Sequence, residues 1–346
     1  MEEAPQRYAV VTGANKGIGL EVVRQLASNG VKVVLTSRDE KRGLHALETL
    51  KDLSDFVFFH QLDVADPASV ASLADFIKSK FGKLDILVNN AGINGLVITD
   101  NDLIPSVISK PQDLSEEELE KARIETYELG EECLQINYYG SKRTTESLLP
   151  LLQLSDSPTI VNVSSSLGIL ERISNKWGKG VLSDAENLTE ERVDVVLNEF
   201  MKDFKEGSLK DKGWPTAFGA YTLSKAAMNA YTRILAKMLP TFCINCLCPG
   251  YIKTDITANT GLYTVEEGAA NVVRLALLPN GSPSGMKCVP IKSYNILNFW
   301  SFRHNLVNRY APLWITVMDE INLQSLYIVT LTKTKTLRAS FMRNYH

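Results

Sequence analysis

The sequence is poor in cysteine and histidine, and this disfavours several kinds of chemistry. Its 346 residues contain five cysteines and four histidines. None of them stands at the spacing of a zinc site, and no histidine accompanies a serine nucleophile motif. We therefore predict no metal site, no zinc-dependent alcohol dehydrogenase and no hydrolase triad. Cys243, Cys246 and Cys248 fall in a short apolar segment, where buried thiols are expected.

The sequence also lacks a charge excess and a long apolar run. Lysine and arginine number 37 against 40 aspartate and glutamate residues, which leaves a formal net charge of -3. A protein with this charge balance has no overall electrostatic attraction to nucleic acid. No apolar stretch reaches the roughly 18 residues that a membrane-spanning helix requires, and the acidic N-terminus has the wrong sign for a signal peptide. We therefore expect a cytoplasmic protein whose partners include neither nucleic acid nor a membrane.

What the sequence does contain is a regular alternation of strand-like and helix-like stretches. The strand-like stretches are 8–11, 31–35, 56–59, 84–88, 159–163 and 243–247, and the helix-like ones are 16–28, 40–50, 70–81 and 221–238. Repeated strand-then-helix units join parallel strands through right-handed crossovers. The pattern predicts an α/β fold, a single Rossmann-like doubly wound parallel sheet with helices on both faces.

Two segments interrupt this alternation. Residues 103–130 are charged and predict a solvated helix and loop. Residues 166–220 are too long for an ordinary connection, and their apolar spacing predicts a helix over 189–204. We predict a substrate-side insertion over 166–220, inside a catalytic domain that spans residues 1–285. Residues 286–346 match no motif that we recognise, and we predict that they form an atypical, poorly packed C-terminal extension. The less favoured alternative is that this tail contacts a membrane or RNA.

A glycine-rich turn joins the first strand to the first helix. It reads Thr12-Gly13-Ala14-Asn15-Lys16-Gly17-Ile18-Gly19. Gly13 permits the tight turn, Gly17 lets the backbone approach a pyrophosphate, and Gly19 lets the helix pack closely on the strand. The helix N-terminus adds N–H groups and the positive end of a dipole. In this context the turn predicts a dinucleotide site, with a purely structural turn as the alternative.

The end of the second strand indicates which dinucleotide is bound. In NAD enzymes an acidic residue there accepts a hydrogen bond from the ribose 2′-hydroxyl. Here the strand ends at Arg38, and Lys16 projects from the glycine turn nearby, so two cations suit a 2′-phosphate. Asp39 leaves NAD open as the alternative, although a cap on the next helix is its favoured role. We therefore predict NADP(H).

Six motifs in sequence order resemble those of the short-chain dehydrogenase/reductase family. They are the glycine turn, Asp63-Val64, Asn89-Asn90-Ala91-Gly92, Asn137, Ser165 with Tyr221 and Lys225, and Pro249-Gly250 with Thr254. The resemblance implies a cofactor site formed by the glycine turn, Arg38, Asp63, Val64, Asn90, Ala91, Gly92, Tyr221, Lys225, Pro249, Gly250 and Thr254. It implies a catalytic set of Asn137, Ser165, Tyr221 and Lys225.

The sequence also resembles one branch of this family. The glycine turn and the long segment before Tyr221 are similar to those of carbonyl reductases, and the phrases around Asn137 and Lys225 are similar to those of plant reductases of monoterpenoid or alkaloid ketones. The resemblance implies NADPH-dependent, reversible reduction of a small, fairly apolar ketone or aldehyde. It also implies a monomer, because the insertion covers a face through which other members associate.

Tyr221 and Lys225 carry the expected chemistry. They are four residues apart and therefore share one face of a helix. A nearby ammonium group stabilises a phenolate and so lowers the pKa of a tyrosine from about 10. Tyr221 is expected to protonate the carbonyl oxygen as the nicotinamide delivers hydride to the carbon. The resemblance makes Ser165 a second donor to that oxygen, places Lys225 on the nicotinamide ribose, and lets Asn137 order a water.

Two points stay open from the sequence. Ser164, Ser165 and Ser166 are consecutive; the family pattern favours the second, and alternation along a strand turns Ser164 away from it. The alternative function is an NADP(H)-binding protein with little or no turnover, because its C-terminal end departs from the family.

We expect Leu167, Trp177 and Trp214 to line the substrate pocket.

Overall fold

The computed structural model describes residues 5–99, 115, 117–118 and 123–285. Contacts divide the chain into two units, Met1–Ile291 and Lys292–His346, and every described residue lies in the first. The predicted extension at 286–346 and most of the charged segment 103–130 lie outside the described residues.

The described elements alternate between strand and helix over most of the chain. In order they are β1 (Tyr8–Val11), α1 (Gly17–Ser28), β2 (Lys32–Ser37), α2 (Glu40–Glu48), β3 (Val57–Gln61), α3 (Pro67–Phe81), β4 (Ile86–Asn89), β5 (Val97–Ile98), β6 (Arg123–Ile124), α4 (Tyr127–Leu134), α5 (Gly140–Leu152), β7 (Thr159–Val163), α6 (Lys176–Ser183), α7 (Glu190–Lys205), α8 (Gly219–Met238), β8 (Cys243–Leu247) and α9 (Val265–Ala276). Each helix and strand predicted outside 103–130 is present, with ends shifted by a few residues.

Six of the strands form one parallel sheet in the order β3-β2-β1-β4-β7-β8. This confirms the predicted doubly wound sheet. The strand order reverses between β1 and β4, and in such sheets the loops that follow those two strands open a ligand crevice. Strands β5 and β6 pair antiparallel in a separate two-stranded ribbon.

The sheet has a core on each of its faces. Val10, Val34 and Leu87 pack into one apolar cluster, whereas their strand neighbours Val33 and Val88 pack into the other. All five are completely buried. Because helices cover both faces, the strands are largely apolar and do not alternate between apolar and polar residues. The clustered thiols of β8 are buried and free, as predicted.

The insertion between β7 and α8 packs as two helices. Thr189 caps α7 through its side chain, and the apolar face of this helix is buried. The Trp214 indole donates to the Asp203 carboxylate at 2.7 Å and is only 3% exposed. An added methyl group on Gly178, in α6, would contact the same indole. Trp214 therefore holds the insertion together, instead of lying open to a substrate as we expected from the sequence.

The sequence reasoning missed three stretches of helix. One is α6 in the insertion. Another is the run from α4 to α5, which is joined by a π-helical segment at Gln135–Tyr139. The third is α9, which Thr264 and Glu267 begin with a reciprocal capping box. The π-helical segment bears on function, because π turns inside helices occur often at functional sites and this one contains Asn137.

Candidate active site

The glycine turn after β1 is locked onto the loop after β4. The Thr12 hydroxyl accepts from the backbone N–H groups of Asn90 and Ala91, both at 2.9 Å. In return, the Asn90 amide donates to the carbonyl oxygens of Thr12 at 2.9 Å and Gly13 at 3.1 Å. These bonds bring two of the predicted cofactor motifs together at the reversal point of the sheet.

The glycines of the turn allow other segments of the chain to approach its backbone closely. Gly13 has a φ of +61°, and an added Cβ would lie 2.8 Å from the Ala91 Cα. Gly17, with φ +55°, begins α1, and no side chain caps the helix there. The first N–H groups of α1 therefore remain available to an anion. Asn15 and Ile18, the other predicted residues of the turn, are half-buried.

The predicted adenosine end contains both cations and their acidic neighbours. The Arg38 guanidinium lies 3.7 Å from the Glu132 carboxylate, and the Lys16 ammonium lies 2.5 Å from that of Asp255. Asp39 caps α2 by accepting from the Arg42 N–H at 2.8 Å, as predicted. The Asp39 carboxylate is thus engaged at the start of α2, which supports its capping role over that of the ribose acceptor expected of an NAD site.

Asp63 and Val64 follow β3 at the predicted adenine position. The Asp63 carboxylate accepts from the Ala65 N–H at 2.9 Å, and Val64 is buried. The Val64 carbonyl accepts from the Arg143 guanidinium at 2.6 Å. The loop is thus fixed through its own backbone.

Lys225 and Tyr221 project from the first turns of α8. The Lys225 ammonium lies 5.7 Å from the centre of the Tyr221 ring and donates to the Val163 carbonyl, at the end of β7, at 2.9 Å. An added methyl on Gly92 would lie 3.5 Å from the same ammonium. Lys225 is 4% exposed. A buried cation therefore lies beside the phenol and the loop after β4, as the proton chemistry requires.

Asn137 is completely buried inside the π-helical segment. Its amide oxygen accepts from the Ile93 N–H at 2.8 Å, and its amide nitrogen donates to the Ile93 carbonyl at 2.9 Å. The same nitrogen lies 3.0 Å from the Ser224 hydroxyl on α8. The Asn137 side chain thus ties the loop after β4 to the helix that carries Tyr221 and Lys225.

Ser165 begins the short 3-10 turn Ser166–Gly168, and its hydroxyl accepts from the Leu167 N–H at 3.1 Å. Ser164 is buried, and its hydroxyl lies 3.5 Å from the Lys225 carbonyl. An added methyl on Gly168 would lie 2.7 Å from the Lys225 carbonyl carbon. The turn that carries the serines is therefore packed directly on the backbone of α8.

The loop after β8 reaches the glycine turn. Gly250 follows Pro249 and has a φ of +105°, a conformation that side chains rarely adopt. Thr254 begins the 3-10 turn Asp255–Thr257, and its Cγ2 atom lies 3.4 Å from the position of a Cβ on Gly17. The structure therefore brings the last predicted cofactor motif onto the first.

Sequence reasoning missed several side chains around this site. Cys133 lies beside Asn137, and burial raises the pKa of its thiol to about 12, so the thiol stays neutral. Glu125 binds the start of α8, and Asp255 pairs with Lys16. Ser224 also contacts Asn137, and it lies in the segment Leu223-Ser224-Lys225-Ala226 that resembles plant reductases. Glu125 and Asp255 make their contacts with distant segments, whereas Cys133 lies one helical turn before Asn137.

The described residues show neither a metal centre nor a membrane-spanning helix. Within 5–99 and 123–285, no three histidine, cysteine, aspartate or glutamate side chains converge as a metal site would need. None of the helices in these ranges combines the length and apolarity that crossing a bilayer demands.

The strand order and the clustered motifs define a dinucleotide-binding oxidoreductase fold, and comparison with known proteins identifies the family. The short chain dehydrogenase family profile matches residues 7–176, and the chain belongs to the short-chain dehydrogenase/reductase family. It is 59% identical over 290 residues to (+)-neomenthol dehydrogenase of Arabidopsis thaliana, which covers 82% of this chain and 96% of that protein.

Two further relatives are informative. The solved structure of salutaridine reductase from Papaver somniferum is 54% identical, covers 81% of this chain and 98% of its own, and has a TM-score of 0.74. The rat protein named carbonyl reductase [NADPH] 1 is 35% identical over 283 residues, or 79% of this chain and 92% of its own.

Proposed function

We propose that this protein is an NADPH-dependent reductase of fairly apolar ketones and aldehydes, a reaction that is reversible as alcohol oxidation. One observation carries the proposal. Tyr221 and the buried Lys225 lie together on α8, and the Lys225 ammonium lies beside both the end of β7 and the loop after β4. The relatives named for dehydrogenation or carbonyl reduction support the same class of reaction.

The proposed cofactor is NADP(H), and residues of this chain fit it. The left-handed turn at Gly13 and Gly17 and the uncapped start of α1 suit a pyrophosphate. Lys16 and Arg38 supply cations for the 2′-phosphate, whereas Asp39 is engaged as a helix cap. The predicted contacts of Asp63, Val64, Asn90 and Thr254 are part of this proposal.

Each catalytic side chain has a proposed task. The bound nicotinamide supplies a hydride to the carbonyl carbon. Tyr221 donates the proton to the carbonyl oxygen, and Ser165 donates a hydrogen bond to the same oxygen. Lys225 favours the phenolate left on Tyr221 and binds the nicotinamide ribose. Asn137 holds the π-helical segment against Ile93 and orders a water that returns a proton through Lys225.

The proposed substrate class is a monoterpenoid ketone such as menthone, or an alkaloid ketone. The names of the Arabidopsis and poppy relatives support this class. The buried Phe218 ring packs beside Tyr221, with ring centres 6.5 Å apart, so the surroundings of the reacting group are apolar on this side. Shape and apolar contact would then select the ketone.

Domain extent, compartment and assembly complete the proposal. We infer a catalytic domain of residues 1–285 with the insertion at 166–220, followed by the extension 286–346. The free thiols of Cys133, Cys243, Cys246 and Cys248 suit the reducing cytoplasm. The packing of α7 onto α8 supports a monomer, which sedimentation of the purified chain tests directly.

The test is NADPH oxidation by the purified full chain with menthone and a small ketone panel, beside Tyr221→Phe. We expect turnover in the wild type and a loss of at least about a hundredfold in the variant, because a general acid contributes roughly 10²–10⁴-fold. Tyr231→Phe is the matched control, because it removes a buried hydroxyl from the same helix. NADPH binding without turnover of any ketone would favour the alternative, a cofactor-binding protein.

A further inference from the structure

The helix that carries Tyr221 begins without a cap of its own. Phe218, the residue before α8, has left-handed backbone angles of φ 52° and ψ 36°, which bulky residues rarely adopt. Its side chain is apolar and gives the helix no cap hydrogen bond. The first N–H groups of a helix have no partners within it, so another part of the chain must bind them.

Glu125 supplies those partners from a distant segment. One of its carboxylate oxygens accepts from the Phe218 N–H at 2.9 Å, and the other accepts from the Gly219 N–H at 3.2 Å. Glu125 immediately follows β6 and lies 94 residues from Gly219 in sequence. A carboxylate at this end of a helix gains both charge-assisted hydrogen bonds and attraction to the helix dipole.

Helices α4 and α7 also pack against the first turn of α8, from two sides. An added methyl on Gly130, in α4, would lie 3.4 Å from the Ala220 Cβ. An added methyl on Gly219 would lie 3.2 Å from the Phe200 ring of α7. The helices α4 and α7 therefore contact the turn closely, while Glu125 binds its backbone. Tyr221 immediately follows Gly219 and Ala220, the two residues that these helices contact.

We propose that Glu125 is a positioning residue for Tyr221, a role that rests on the proposed reductase function. Its carboxylate clamps the Phe218 and Gly219 backbone and thereby fixes the direction in which the Tyr221 phenol projects. A small rotation of this turn would move the phenol away from the carbonyl oxygen, and misplacement of a reacting group reduces the rate steeply. The nicotinamide contacts of Lys225, one turn later, would be disturbed less.

The test replaces Glu125 with a side chain of the same shape. Glu125→Gln keeps one accepting oxygen but turns an amide N–H₂ toward the second backbone N–H. We expect kcat to fall about tenfold, with the KM for NADPH changed less than about twofold. In a Tyr221→Phe background the same substitution should change the residual rate less than about twofold, because the positioned phenol is already absent.

A matched control separates positioning from a general loss of stability. Glu267→Gln removes the equivalent carboxylate from the cap of α9, where Glu267 accepts from the Thr264 N–H at 2.8 Å. It should lower the melting temperature without lowering kcat. Should Glu125→Gln fail to fold, Glu125→Asp keeps the charge but shortens the reach, and it should lower kcat in the same pattern.

Amide hydrogen exchange tests the clamp independently of turnover. Exchange at the start of α8 should accelerate in Glu125→Gln and stay unchanged in Glu267→Gln. An unchanged exchange rate, an unchanged kcat, or an equal loss in the Tyr221→Phe background would each overturn the proposed role. A wild type that turns over no ketone contradicts the reductase function instead, and accelerated exchange would then still support the clamp.

Discussion

Lys16 and Asp255 form an ion pair at 2.5 Å that joins the glycine turn to the loop after β8. Lys16 is the residue before α1, and Asp255 begins the 3-10 turn Asp255–Thr257. The neighbouring residues Gly17 and Thr254 face each other across the same boundary. Asp255 therefore engages one of the two cations that we assign to the 2′-phosphate of NADPH.

Removal of this carboxylate should tighten NADPH binding. In Asp255→Asn, Lys16 no longer has an anionic partner. The substitution also removes a negative charge that would repel the 2′-phosphate, which NADPH has and NADH lacks. Both side chains are more than half exposed, at 58% and 66%, so solvent screens the pair and the gain stays small. We expect the dissociation constant of NADPH to fall about two- to fivefold, with a smaller change for NADH, in fluorescence titrations at low salt.

Asp52→Asn is the control for the charge itself, because Asp52 pairs with Arg24 at 3.9 Å on the α1 and α2 side of the molecule. It should leave both dissociation constants unchanged. Equal tightening of NADPH and NADH in Asp255→Asn, or the same tightening in a Lys16→Ala background, would show that Lys16 is not the competing cation.

Parts of the site that depend on nearby residues were predictable from the sequence. The Asp39 cap is an example, because a side chain reaches an N–H three residues later whatever the tertiary fold. The shared helix face of Tyr221 and Lys225 follows from their spacing in the same way. The alternation of strands and helices was sufficient to predict the parallel sheet.

Parts that depend on long-range packing were not predictable. Glu125 meets Gly219 only after the chain has folded, and no spacing rule connects residues so far apart. The π-helical segment around Asn137 inserts one extra residue in a helix, which apolar periodicity does not reveal. Trp214 was expected at the pocket because it lies in the insertion, yet its indole packs inside the insertion and donates to Asp203.

An added methyl group on Gly168 should damage the site. Its Cβ would lie 2.7 Å from both the carbonyl carbon and the Cβ of Lys225, so the serine turn or α8 must shift. Overpacking of this kind costs roughly 1–3 kcal/mol of stability, and displacement of Ser165 from Tyr221 should lower kcat roughly tenfold or more. Thermal unfolding and ketone reduction by Gly168→Ala measure the two effects.

Gly180→Ala is the matched control. Gly180 lies in α6, and an added methyl there meets nothing within 4 Å. Alanine is the better helix former, so this variant should gain about 0.5–1 kcal/mol and keep its kcat. A Gly168→Ala variant as active as Gly180→Ala would refute the close packing of the serine turn on α8.

Two aspartates within the insertion, Asp194 and Asp184, should affect stability in opposite directions as the pH changes. Burial raises the pKa of Asp194 above its usual range, against the lowering effects of the Lys142 ammonium and the Tyr139 hydroxyl. The folded protein therefore binds this proton more tightly than the unfolded chain does. The stability that this gives is present below the ordinary pKa, near 4, and is lost as pH rises through the raised pKa. Asp194→Asn should therefore melt above the wild type at pH 7 and approach it near pH 4.

The pKa of Asp184 is shifted in the opposite direction to that of Asp194, so its effect on stability has the opposite pH dependence. The Arg192 guanidinium donates to its carboxylate at 2.8 Å and lowers the pKa of Asp184. The stability from this carboxylate is present above its ordinary pKa and is lost as pH falls through the lowered one. Asp184→Asn should therefore melt below the wild type at pH 7, with the difference shrinking as the pH is lowered below about 4. Melting temperatures of both variants across this range measure the contrast. If both variants shifted the melting temperature in the same direction at pH 7, the opposite pKa directions of the two aspartates would be contradicted.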